Sequence, residues 1–222
     1  LFFNIFFMSA SYTMLIPFLP MYLTRELGVD PASVNIWSGI VFSATFVVSA
    51  VMAPVWGRLA DKKGKKLMAI RSSLLLSISY FLGGIVTTPT QLVFMRMFQG
   101  FAAGLWPMDL AIMTMTAPRE KLGICLGIMQ GVMTAGGVIG PLLGGGLAEL
   151  FGMRMSFFLA SAALFLNCLV FIFAIKEPPK KPLSQEKRTA ETSMGLLKVP
   201  LLRNMLIYSS FVSMVILILQ PI

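Results

Sequence analysis

The chain has 222 residues, 57% of them hydrophobic and only 12% charged, with a mean hydropathy of +0.84. Soluble domains carry about 45–50% apolar and about 25% charged residues, so this composition is that of a membrane protein. The net charge of +9 lies between apolar runs, where it reads as a topology signal rather than a nucleic-acid surface. The absence of histidine excludes histidine acid–base chemistry and histidine metal sites. The two cysteines, Cys125 and Cys168, give no disulfide framework.

A span needs about 20 mainly apolar residues. Seven runs meet or approach this, at 2–23, 34–56, 67–87, 91–113, 122–148, 155–175 and 204–222. The first has no charged leader segment and its apolar character outruns a signal-peptide core, so it predicts a true span. Pro17 and Pro20 are expected to bend its outer end, beyond the polar Asn4, Ser9, Ser11, Tyr12 and Thr13. The second run ends in "GRLADKKGKK", Gly57–Lys66, five basic residues and one acid in ten positions. The fourth carries Arg96, Gln99, Gly100 and Ala103 on one helical face, and Asp109 as an acid well inside the span. In the fifth, Gly136, Gly140, Gly144 and Ala148 recur every four residues. They predict a groove for close helix contact, with Pro141 permitting a bend. A polar stretch rich in Pro, Lys and Glu follows the sixth run. The expected organisation is a six-helix bundle over 1–175, a linker over 176–203, and part of a seventh helix over 204–222. Both ends of the chain lie in apolar runs, which predicts a piece of a longer protein.

Orientation follows from the basic residues. The gaps after runs 2 and 4 and the stretch after run 6 hold fifteen Lys and Arg, with Arg71 counted in the first of these gaps. The gaps after runs 1, 3 and 5 hold two, Arg25 and Arg154. The even gaps, the linker and the N-terminal side are therefore expected in the cytoplasm. Topology alone needs neither the acid Asp61 nor the spacing of Gly57 and Gly64.

The segment Gly57–Lys66 resembles a signature of the major facilitator superfamily, between its second and third helices. Further motifs resemble the same family: the Arg-x-x-Gln-Gly pattern at Arg96, and the pattern Gly127, Gly136, Gly140, Pro141, Gly144, Gly145, which in that family marks antiporters. The overall likeness is to bacterial twelve-helix drug:proton antiporters. It implies an all-α membrane protein: the N-terminal six-helix bundle of a twelve-helix transporter, a linker, and the start of helix 7. It also implies proton-coupled export of small amphipathic compounds by alternating access across the bacterial inner membrane, without covalent chemistry, cofactor or metal. The implied partners are the substrate, protons, the bilayer and the C-terminal half of the same transporter. The alternatives are a sugar or metabolite symporter, against which the helix 5 pattern argues, and a non-transporting sensor or scaffold.

The resemblance assigns roles residue by residue. Gly57, Asp61, Gly64 and Lys65 form a conformational switch, in which Asp61 faces a helix N-terminus of the other half. Gly57 would admit a close neighbour, Gly64 would turn the chain, and Lys65 is placed to pair with Asp61. Arg96 is tied to proton coupling, the competing reading being an arginine that snorkels to the outer surface. Asp109 is either a proton site facing a cavity or a residue bonded to the basic loop through Lys65 or Arg58; the loop's position favours the second. Tyr12, Met14, Gln99, Trp106, Met129 and Met133 are candidates for a substrate cavity, since methionine and aromatic side chains repack around varied ligands. The competing reading for each methionine is plain packing. Helix 1 lacks the acid that several such antiporters carry.

Overall fold

A computed structural model describes residues 1–175 together with 204, 205, 208 and 209. The expected linker and all but four residues of the seventh run therefore lie outside the described residues. Among the described residues there are eight α-helices and no strand: α1 Phe2–Thr13, α2 Leu19–Arg25, α3 Val34–Lys63, α4 Lys65–Ile85, α5 Pro89–Ala102, α6 Leu105–Thr116, α7 Leu122–Phe151 and α8 Met153–Phe173. A 3₁₀ turn at Arg119–Lys121 precedes α7. Four segments are individually long and apolar enough to cross a membrane: Val34–Lys63, Lys65–Ile85, Arg119–Phe151 and Met153–Phe173. The first and fourth apolar runs are each divided between two shorter helices.

The first division corrects the expectation of one bent helix over 2–23. The chain leaves the α-helix at Thr13 and resumes it at Leu19. In between, Ile16 N–H bonds Thr13 O at 3.2 Å and Phe18 N–H bonds Leu15 O at 3.3 Å, a tighter turn than the α-helix. Pro17 has no N–H to extend α1, while Pro20 sits where α2 begins and needs no donor there.

The second division falls at Ala103 and Gly104, where Gly104 has φ 123°. Backbone polar groups at membrane depth must find partners inside the protein. Pro107, the third residue of α6, cannot donate to Ala103 O as a continuous helix would require. Side chains from two other helices close the gap. Trp56 Nε1 of α3 donates to Phe101 O at 2.9 Å. Arg71 Nη2 of α4 donates to Ala103 O at 2.9 Å and reaches Ala102 O at 3.4 Å. The Arg71 guanidinium also stacks 3.6 Å over the Trp56 ring. Arg71, counted above among the loop cations, thus serves as the C-terminal cap of α5.

Packing pairs α1 with α7, α4 with α8, and α3 with α5. The α4–α8 contact is tied by Ser77 and Ser161, each hydroxyl donating to the other's carbonyl at 2.8 Å. Near the α2 end, buried Tyr22 donates to Gly83 O at 2.9 Å and packs against Phe157 with ring centroids 5.0 Å apart. Arg154 bonds Glu26 at 2.9 Å, joining the start of α8 to the end of α2.

Candidate functional site

A cavity of about 410 Å³ opens where both broken helices meet α3 and α7. Its wall includes Tyr12 and Thr13 of α1, Thr45 and Ser49 of α3, Gln99 of α5, Trp106 of α6 and Met133 of α7. Four of the six cavity candidates, Tyr12, Gln99, Trp106 and Met133, stand on this wall. Met14 and Met129 do not. Met14 is buried with its backbone and side chain against Gly144, and Met129 is fully buried in a cluster with Ile5 and Met113. Both have the chemistry of an adaptable wall, but their positions on α1 and α7 turn them into helix contacts.

Arg96 is 5% exposed, which corrects the snorkelling alternative. It lies one turn behind Gln99, donating from Nη1 to Gln99 Oε1 at 2.9 Å, with its guanidinium 5.9 Å from the Phe42 ring centroid. Its Nε and Nη2 have no hydrogen-bond partner among the described residues, while the Gln99 amide also reaches the buried Tyr80 hydroxyl. A guanidinium has only donors, so Gln99 must turn its oxygen toward Arg96 and its NH₂ away. Gly100, next in the motif, has no room for a side chain: a Cβ there would collide with Thr45 O and lie 3.0 Å from Val48 Cβ.

Asp109 is fully buried on α6, and neither carboxylate oxygen has a partner among the described residues. The expected bond to Lys65 or Arg58 is absent. Lys65 instead pairs with Asp61. The reason is local. Helix α3 continues to Lys63, only Gly64 separates it from α4, and with φ 106° and ψ 151° that glycine turns Lys65 back over the last turn of α3. The basic segment is therefore two helix ends around one residue rather than a loop. Lys62 and Lys63 occupy the last turn of α3, where the helix dipole favours cations. A Cβ added at Gly57 would meet nothing within 4 Å, so no close neighbour depends on this glycine among the described residues.

The glycines of α7 divide into two kinds. At Gly136 an added Cβ would lie 2.7 Å from Phe6 O; at Gly140 it would collide with Thr13 Oγ1, and at Gly144 with Met14 O. These three form the seat of α1. Ser9 adds a bond across the same contact, donating to Met133 O at 2.6 Å. A Cβ added at Gly145 would lie 3.2 Å from the Phe18 ring, while one at Gly127, on an exposed face, would meet nothing within 4 Å among the described residues. Pro141 lies within α7 without interrupting it.

Sequence reasoning missed Trp56 and Arg71. The available signal was Gly104 three residues before Pro107, a glycine and a proline inside one apolar run.

The described residues thus form an integral membrane bundle whose cavity is walled at the break between α5 and α6. The chain belongs to the Major Facilitator Superfamily, whose sequence profile matches residues 1–221. It is 40% identical over 176 residues to the multidrug resistance protein MdtG of Proteus mirabilis, covering 79% of this chain and 44% of that protein. It is also 40% identical over 174 residues to the multi-drug resistance efflux pump PmrA homolog of Lactococcus lactis, covering 78% and 42%. Among solved structures, the human organic anion transporter MFSD10 superposes with a TM-score of 0.69 at 17% identity, covering 80% of this chain and 46% of that one. A peptide transporter, POT, superposes with a TM-score of 0.65 at 22% identity, covering 96% and 48%. These two likenesses establish the fold. The chain spans about half the length of the relatives it matches, and the family is one of transporters rather than enzymes.

Proposed function

We propose that this chain is the N-terminal half of a proton-coupled antiporter that exports small amphipathic compounds across the bacterial inner membrane by alternating access. The second half is supplied by the remainder of the same transporter. The relatives named as multidrug resistance proteins support the substrate class. The observation that carries the coupling reading is Arg96, a cation buried inside a span whose one hydrogen-bond partner among the described residues is Gln99, directly behind the cavity wall. A charge at that depth costs about 2.5–3.5 kcal/mol on the insertion scale, so such residues usually have a role. Asp109 is the second coupling candidate in this reading.

In the same reading Asp61 and Lys65 secure the cytoplasmic ends of the two halves while the cavity faces outward. The α1–α7 groove lets α1 move with α7 as one body, because its contacts are too close to slide. The test is the full-length transporter in liposomes with an imposed pH gradient and a fluorescent cationic or anionic dye. Dye should move against the proton flux and stop when a protonophore collapses the gradient. Dye flux indifferent to the gradient would overturn the antiport reading.

A further inference from the structure

The two helices that meet at Gly64 each send one side chain to the break between α5 and α6. Trp56, the residue before Gly57 on α3, donates from Nε1 to Phe101 O at 2.9 Å, and its ring meets Phe101 edge-on with centroids 5.0 Å apart. Arg71, in the second turn of α4, donates from Nη2 to Ala103 O at 2.9 Å and reaches Ala102 O at 3.4 Å. The two side chains also hold each other, the guanidinium lying 3.6 Å over the Trp56 ring. Both arms of the Gly64 corner, the one that carries Asp61 and the one that carries Lys65, therefore grip the same stretch of backbone.

That stretch runs directly into the cavity wall. Ala103, Gly104, Leu105 and Trp106 line the cavity, whereas Trp56 and Arg71 do not. Among the described residues the N–H groups of Gly104, Leu105 and Trp106 make no backbone bond to α5. The junction is thus a joint without hydrogen-bonded continuity, and Gly104, with φ 123°, takes up its change of direction. Helix α4 touches the joint itself: a Cβ at Gly104 would lie 3.5 Å from Ser72 Oγ and 3.6 Å from Arg71 Nη2.

Such a grip transmits movement. If the corner shifted and the junction stayed, the carbonyls of Phe101 and Ala103 would lose their donors at a depth where lipid offers none. Moving the junction with the corner avoids that cost. Arg71 is suited to follow it, because its Nε and Nη1 have no partner among the described residues and remain as donors for a displaced carbonyl. Lysine could not do the same, since it lacks the planar fork that stacks on indole while donating sideways. We propose that Trp56 and Arg71 are positioning residues that couple the Gly64 corner to the substrate wall at Ala103–Trp106. A change of state at the corner then reshapes the cavity, and by linkage a compound against the wall biases the corner. The proposal rests on the reading of the corner as a switch and of the cavity as a substrate path.

The test uses the full-length transporter in nanodiscs with its tryptophans replaced by 5-fluorotryptophan. The Trp106 fluorine signal is assigned by its loss in Trp106→Phe. Gly64→Ala strains the corner at φ 106°, whatever role Asp61 has. With the link intact it should shift or split the Trp106 signal. Combined with Arg71→Lys it should leave that signal where Arg71→Lys alone puts it. Trp56→Phe should abolish the response in the same way, since it keeps the ring but not the donor. Effects at sites that share no partner add, so a lost response is the mark of the link. A role confined to stability would lower the unfolding midpoint and leave the response to Gly64→Ala in place. A Trp106 signal that ignores Gly64→Ala, or answers it equally with and without Arg71, would overturn the link. If Gly64→Ala does not fold, Lys65→Gln perturbs the corner by removing its pair with Asp61, and the same outcomes decide. Cysteine labelling on the cytoplasmic side in Asp61→Asn judges the switch separately. Unchanged labelling beside an intact wall response sinks the switch reading alone, and altered labelling without a wall response sinks the link alone.

Discussion

Gly140 and Gly127 belong to the same motif of α7, yet the structure predicts that alanine will destabilise the protein at the first position and not at the second. At Gly140 the added Cβ would collide with Thr13 Oγ1 and lie 3.0 Å from Ala10 Cα. Ordinary contact begins near 3.4 Å, so α1 must retreat by at least about 0.4 Å at that atom, and by more at the oxygens. The obstacle includes backbone, which cannot rotate away. Retreat would also loosen the flanking contacts at Gly136 and Gly144 and stretch the Ser9 bond to Met133 O. Overpacking of this kind costs about 1–3 kcal/mol. At Gly127 the new methyl meets nothing within 4 Å among the described residues, on an exposed face. There the substitution gains helix propensity, up to about 1 kcal/mol. The two variants should therefore differ by roughly 1–4 kcal/mol, a factor of about five to several hundred in a folding equilibrium. The assay is thermal or detergent-induced unfolding of the full-length protein with each single substitution. The expected result is a lower midpoint for Gly140→Ala and an equal or higher one for Gly127→Ala. Equal losses in both would refute the reasoning, because the motif would then act through something other than the seat of α1.

What the sequence disclosed and what it withheld divide along a physical line. The apolar runs, the four-residue glycine spacing and the turn at Gly64 are local patterns, and local patterns are readable one residue at a time. The break at Gly104 left only a weak local trace, the glycine three residues before Pro107. Glycine and alanine are common inside membrane helices, the apolar character runs on without a gap, and the cost of the break is met by Trp56 and Arg71, distant in sequence. Arg71 looked like one more cytoplasmic cation because charge counting has no depth. Asp109 looked destined for the basic segment because that segment was drawn as a loop. As two helix ends around Gly64, it commits Lys65 to Asp61 and leaves Asp109 with no partner among the described residues. Met14, Met129 and Met133 are chemically alike, and only the third dimension separates the wall residue from the two packed ones.

Three further outcomes test individual residues. Arg96→Ala in the full-length transporter should abolish pH-driven dye efflux while leaving membrane insertion intact, since it removes a span cation; unchanged efflux, measured in liposomes, would remove Arg96 from the coupling reading. Trp56→Phe keeps a ring for Arg71 to stack on but leaves Phe101 O without its donor, and should lower stability by about 1–3 kcal/mol by unfolding midpoint. An unaltered midpoint would mean that the helix break does not need that bond. Asp61→Asn separates stability from switching. The Asp61 side chain is 64% exposed, so its pair with Lys65 contributes about 0–1 kcal/mol and the bundle should barely weaken. Every basic residue remains, so topology should hold as well. If Asp61 secures the outward-facing state, a shift of about 1–2 kcal/mol would still change the ratio of the two transport states roughly five- to thirty-fold. Efflux should then fall, and cysteines introduced on the cytoplasmic side of the cavity should label faster, at an unfolding midpoint close to wild type. Normal efflux with unchanged labelling would show that the acid among the bases serves only its neighbour Lys65.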